Sequence, residues 1–60
     1  MRTVVKVYLK GIDGELDNLT TTINAKQEEA HKYYFNQWFN LGVVDDKMMK
    51  CYMVEIIKSI

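Results

Sequence analysis

The stretch Met1-Arg2-Thr3-Val4-Val5-Lys6-Val7-Tyr8-Leu9-Lys10 decides the fold. Its odd positions carry Thr3, Val5, Val7 and Leu9, and its even positions carry Val4, Lys6, Tyr8 and Lys10. A period of two in β-branched residues marks a strand, and the composition turns the odd face inward. Everything else in the chain must cover that face.

Downstream lies Gly11-Ile12-Asp13-Gly14, whose Asp-Gly pair tolerates positive φ and reads as a turn. Leu19, Thr21 and Ile23 then alternate within Glu15–Ile23, so a second strand is expected to form a hairpin with the first. Asn24 and Gln27 have the spacing of a capping box, which predicts a helix starting near Asn24. No Pro or Gly interrupts residues 25–41, and Gly42 has the form of a left-handed stop. On a helical wheel Ala30, Tyr34, Phe35, Trp38 and Leu41 make the buried stripe. Lys32, Asn36 and Asn40 fall on the outward side with Tyr33, and Phe39 flanks it. The segment from Tyr33 to Phe39 holds more rings than one core stripe requires.

Val43-Val44-Asp45-Asp46-Lys47 reads as a connection to a final strand over residues 48–58. Met49, Cys51, Met53 and Ile57 share one face of that strand, and Met48, Tyr52, Val54 and Ile56 the other. Apolar groups on both faces suggest a strand covered on one side and only partly wet on the other. The expected architecture is α+β: a single β-β-α-β domain over residues 1–60, with a three-stranded antiparallel sheet and one helix packed on it.

Composition narrows function. The 7.1 kDa chain has eight Lys or Arg against eight Asp or Glu, for zero net charge. Such a balance argues against direct nucleic-acid binding as the main activity. No apolar run approaches the length of a membrane span, so no membrane association is expected. The single cysteine cannot close an intrachain bridge. One His and one Cys cannot make a zinc site alone, and no cofactor or metal is implied. Cys51, mid-strand between methionines, reads as packing, since a buried thiol is inert. His31 lies at the edge of the apolar stripe and reads as a boundary residue. Glu28-Glu29 point apart on a helix, and Asp45-Asp46 lack calcium-loop spacing. The three acids between Asp13 and Asp17 read as a solvated loop. A binding protein is expected, not an enzyme. Tyr33, Asn36, Phe39 and Asn40, with Lys32, make the candidate patch, because rings give contact area and amides give directional hydrogen bonds.

The order of residues resembles the Dmd antitoxins of T-even-like phages. The carrying motifs are Val5-Lys6-Val7-Tyr8-Leu9-Lys10-Gly11 in the first strand, Val44-Asp45-Asp46-Lys47 after the helix, and Cys51 in the final strand. The resemblance covers both ends and the helix, and residues 12–27 do not align. It implies a protein that binds and silences a bacterial mRNA-degrading ribonuclease toxin of the RnlA/LsoA kind. It further implies that the inhibitor occupies a groove near the toxin's active site and works in the host cytoplasm. A helix Asn of the family that contacts toxin falls on Asn36 by its distance from the Asp-Asp-Lys signature. A family tryptophan has no counterpart, since Gln27 stands there, which leaves the range of toxins open. A homodimeric interaction module, paired through the edge of the final strand, is the alternative. A nucleic-acid binder or mimic is a weaker third reading, against which the neutral charge speaks.

Overall fold

In the computed structural model, which describes every residue except Val43, odd-numbered β1 side chains do face inward. Strand β1 (Thr3–Gly11) buries Thr3, Val5, Val7 and Leu9 completely. It turns through Ile12 to Gly14 into β2 (Leu16–Ile23). Gly14 has φ 87° and donates its N–H to the Gly11 carbonyl at 3.1 Å, so the Asp-Gly turn forms as expected. Cross-strand pairing sets Ile23, Thr21 and Leu19 beside Thr3, Val5 and Val7, so the predicted alternation of β2 holds.

The helix is half as long as expected. It spans α1 (Gln27–Tyr34), and only Ala30 and Tyr34 are buried on it. Asn24 does not cap it: Lys26 holds that position without a side-chain cap, and the Gln27 amide donates to the Ser59 hydroxyl at 2.7 Å. The entry is pinned instead by Thr3, whose hydroxyl donates to the Ala25 carbonyl at 2.7 Å. Glu28 and Glu29 in the first turn, with His31 and Lys32 in the last, complement the helix dipole.

The chain leaves the helix through Phe35 and Asn36 and enters a short strand, β3 (Trp38–Asn40). Two of the expected buried rings are therefore not on a helix: Trp38 is 52 % and Phe35 37 % exposed. Gly42 is no helix stop, since the helix has ended eight residues earlier, at Tyr34. The connection from Leu41 to Lys47 leads into β4 (Met48–Ser59). Its expected first residue, Val43, lies outside the described residues. The sheet is antiparallel and curled, with four strands in the order β2-β1-β4-β3, where three were expected.

The two apolar faces of β4 have a specific cause. Leu9 pairs with Cys51 and Tyr8 with Met53, leaving Tyr52 as an extra residue. Val5 pairs with Ile56 and Val4 with Lys58, leaving Ile57 extra. Each bulge switches the inward parity. Met49 and Cys51 face the core before the first bulge, and Val54 and Ile56 after it. Met53 and Ile57, which strict alternation places on one face with Met49 and Cys51, are 45 % and 48 % exposed. The core thus lies between α1 and the centre of the sheet, and Leu41, Phe39, Leu19 and Ile23 close its rim.

Candidate functional site

The β3 edge is built by one turn. Phe35 has φ −62° and ψ 131°, Asn36 has φ 64°, and the Gln37 N–H donates to the Tyr34 carbonyl at 3.1 Å. These are the features of a type II β-turn, whose third residue must be Gly or Asn. The Asn36 N–H then donates to the Cys51 carbonyl at 3.0 Å, and the Cys51 N–H donates to the Gln37 carbonyl at 2.9 Å. Two residues face one across β4, a bulge with its left-handed residue at Asn36. Asn36 is therefore outside any helix, contrary to the wheel. Its backbone alone accounts for an Asn at this position, and its side chain is exposed.

Tyr33, at 64 % exposure, stands edge-on to Tyr34, with centroids 4.9 Å apart and planes at 89°. Tyr34 is buried and stacks on Phe39 at 5.9 Å. Phe39 pairs with Met49 on the inner side and packs against the core, so it anchors the edge and offers less outward surface than expected. Lys32, Tyr33, Gln37, Trp38 and Phe39 line an open depression of about 450 Å³. Three of the five expected contact residues meet there. Asn36 opens onto the other side of Trp38, in a depression of about 350 Å³ shared with Lys10, Lys50 and Tyr52.

Asn40 belongs to neither. Its Oδ1 accepts the N–H groups of Gly42 and Lys47 at 3.0 and 3.1 Å, and its Nδ2 donates to Asp46 at 2.9 Å. This amide organises the β3–β4 loop, so both its ends are engaged within the chain. Lys47 in turn donates to Glu15 at 3.0 Å, tying that loop to the β1–β2 hairpin. The Asp46-Lys47 part of the Asp-Asp-Lys motif thus has a structural task in this chain. Of the residues that the sequence marked as core, Trp38 is the one that belongs to the exposed site. Its signal was the excess of rings between Tyr33 and Phe39.

His31 is exposed and stacks on Phe35 at 5.1 Å. The Cys51 thiol is fully buried and donates to the Met53 carbonyl at 3.4 Å, and burial pushes its pKa up. Such a thiol is a poor nucleophile. Among the described residues no group of three or more His, Cys, Asp or Glu could hold a metal ion. Among the described residues no helix is long and apolar enough to cross a membrane. Comparison with family models, with curated proteins and with solved structures finds no match for this chain.

Proposed function

We propose that the protein is a phage antitoxin: a non-catalytic inhibitor that binds a bacterial mRNA-degrading ribonuclease toxin of the RnlA/LsoA kind and protects phage mRNA in the host cytoplasm. The reading rests on the resemblance to the Dmd antitoxins, carried by the Val-Lys-Val opening, the Asp-Asp-Lys signature and Cys51. One observation supports it most. A chain that buries Val5, Val7, Leu9, Tyr34 and Met49 in its core keeps Tyr33 and Trp38 64 % and 52 % exposed, beside Lys32 and Asn36. Clustered exposed aromatics with a cation and a free amide suit the centre of a protein interface. Tyr33 and Trp38 supply buried area, and Asn36 satisfies polar groups in the toxin groove. Phe39 supports the rings from behind, and Asn40 holds the adjoining loop.

Co-expression with RnlA- and LsoA-type toxins, scored by growth rescue and co-purification, tests this. Tyr33→Ala is expected to weaken binding by about 2 kcal/mol, the scale of an aromatic hot spot. Asn36→Gly keeps the turn and removes the amide. It is expected to cost roughly 1–3 kcal/mol of affinity through unpaired groups on the toxin. Failure to rescue growth from any toxin of this kind removes the proposal.

A second reading, the homodimer, is favoured by one feature. Strand β3 pairs only with Met48 to Lys50, so from Tyr52 onward the far edge of β4 has no paired strand among the described residues. Light scattering across a concentration series separates a monomeric inhibitor from a self-pairing module.

A further inference from the structure

The sheet face turned away from α1 joins basic and aromatic side chains in one field. Lys10 pairs across the sheet with Lys50, and Lys50 with Trp38, so these three form a row over β1, β4 and β3. The Lys50 ammonium lies 6.0 Å from the centre of the Trp38 ring. In the next row Tyr8 and Tyr52 stand 6.4 Å apart, tilted by 52°, and the Lys6 ammonium lies 5.2 Å from the Tyr8 ring. Trp38 and Tyr52 are 52 % and 45 % exposed. Lys58 pairs with Val4 on the same face. The acid facing these lysines is Glu55, which already accepts the Tyr8 hydroxyl at 2.8 Å.

The zero net charge conceals this segregation. The other acids lie elsewhere: Asp13, Glu15 and Asp17 at the hairpin end, Glu28 and Glu29 on α1, Asp45 and Asp46 in the β3–β4 loop. A neutral sum therefore does not describe the field over the outer sheet face. We propose that this face binds single-stranded nucleic acid, with bases stacked on Trp38 and Tyr52 and phosphates met by Lys10, Lys50 and Lys6. Charge complementarity accounts for the lysines, and stacking accounts for the rings. An acidic peptide would use the first and leave the second idle, and a duplex would keep its base faces closed. This inference rests on the sheet face and does not require the antitoxin reading, with which it shares Trp38 and the border at Asn36. Trp38 borders both sites, so the test uses Tyr52 and Lys10, which lie outside the depression beside Tyr33.

Trp38 is the only tryptophan, so its fluorescence in the full chain reports binding directly. Titration with oligo-U and oligo-dT of about ten nucleotides is expected to quench it. Raising salt from about 50 to 200 mM is expected to weaken binding about 7- to 20-fold, for two or three phosphates met. Tyr52→Ala is expected to weaken it about 5- to 150-fold, the range of one lost base stack. Lys10→Glu with Lys50→Glu is expected to abolish it while circular dichroism stays unchanged. If Tyr52→Ala unfolds, the lysine pair carries the test alone. Tighter binding of oligo-U than oligo-dT assigns the site to RNA, and the reverse assigns it to DNA. Absence of quenching with both, equal binding of a duplex or of polyglutamate, or indifference to the lysine reversals overturns the proposal. None of these outcomes bears on growth rescue from a toxin, so the two readings fail separately.

Discussion

Asn36 carries two meanings in one side chain. Under the proposed function it contacts a toxin, and in the fold it is the left-handed residue of a type II turn at φ 64°. The two separate by substitution. Asn36→Ala forces a Cβ residue without a helpful amide into the left-handed region, which costs about 1–2 kcal/mol. Asn36→Gly meets no such penalty. Denaturant unfolding is therefore expected to show Asn36→Ala less stable than the parent by about that amount, and Asn36→Gly equal to it or more stable. Equal stability of the two variants contradicts the turn. It follows that affinity lost in Asn36→Ala alone would not identify a contact, because the β3 edge moves with the turn.

Among the elements, β1 was fully legible and β4 only half so. Four inward residues of β1 alternate without a break, and burial follows that alternation to the residue. The apolar residues of β4 were visible, but no Gly or Pro marks its bulges, so two inward half-patterns looked like one strand with two greasy faces. The helix failed for a related reason. Periodicity over residues 25–41 fits a wheel because nothing local forbids it. Yet Trp38 and Phe39 prefer extended backbone, and Asn36 accepts the turn that releases them into a strand. Pairing with β4 then outweighs helix propensity, a tertiary effect that a wheel cannot contain. Of the expected patch, the exposure of Lys32, Tyr33 and Asn36 was legible. Their arrangement was not, since Asn36 lies in a different depression from Lys32 and Tyr33, Trp38 lines both, and Asn40 is engaged within its own loop. The bulge account has its own test. Deleting Tyr52 removes the extra residue and leaves Val54 and Ile56 facing inward, so the protein is expected to stay folded. Deleting Lys6 from β1 shifts one half of that strand by a residue and turns its buried set outward, so that variant is expected to unfold. Thermal melts of the two decide, and the reverse order of stability rules out the bulge.

At the scale of the whole molecule, the groups with perturbed titration all move in one direction. Burial raises the Cys51 thiol above its ordinary 9.0. The hydrogen bond to Glu55 raises the Tyr8 phenol above 10.0, and the bond to Glu15 raises the Lys47 ammonium above 10.5. Each group holds its proton more tightly folded than unfolded. Between the two pKa values of any one group the native state binds more protons, so stability falls as pH rises. These contributions are fully present below about pH 9 and disappear in sequence above it, thiol first, then phenol and ammonium. Tyr8 and Lys47 are only half-buried, so salt screens part of their share, whereas the thiol is fully buried and its share is screened less. The sheet and the loop tie are thus linked to one another through alkaline pH: Tyr8 bridges β1 to β4, and Lys47 bridges the β3–β4 loop to the β1–β2 hairpin. A thermal midpoint followed from about pH 7 to 11 is expected to hold level and then decline from near pH 9. In Cys51→Ala, stable or not at neutral pH, the decline is expected to begin about one unit higher, where the phenol takes over. Tyr8→Phe in the same background is expected to flatten the next part of the slope. A midpoint that climbs with alkalinity, or an onset unmoved by the Cys51 substitution, means that these protons are not coupled to folding as the geometry requires.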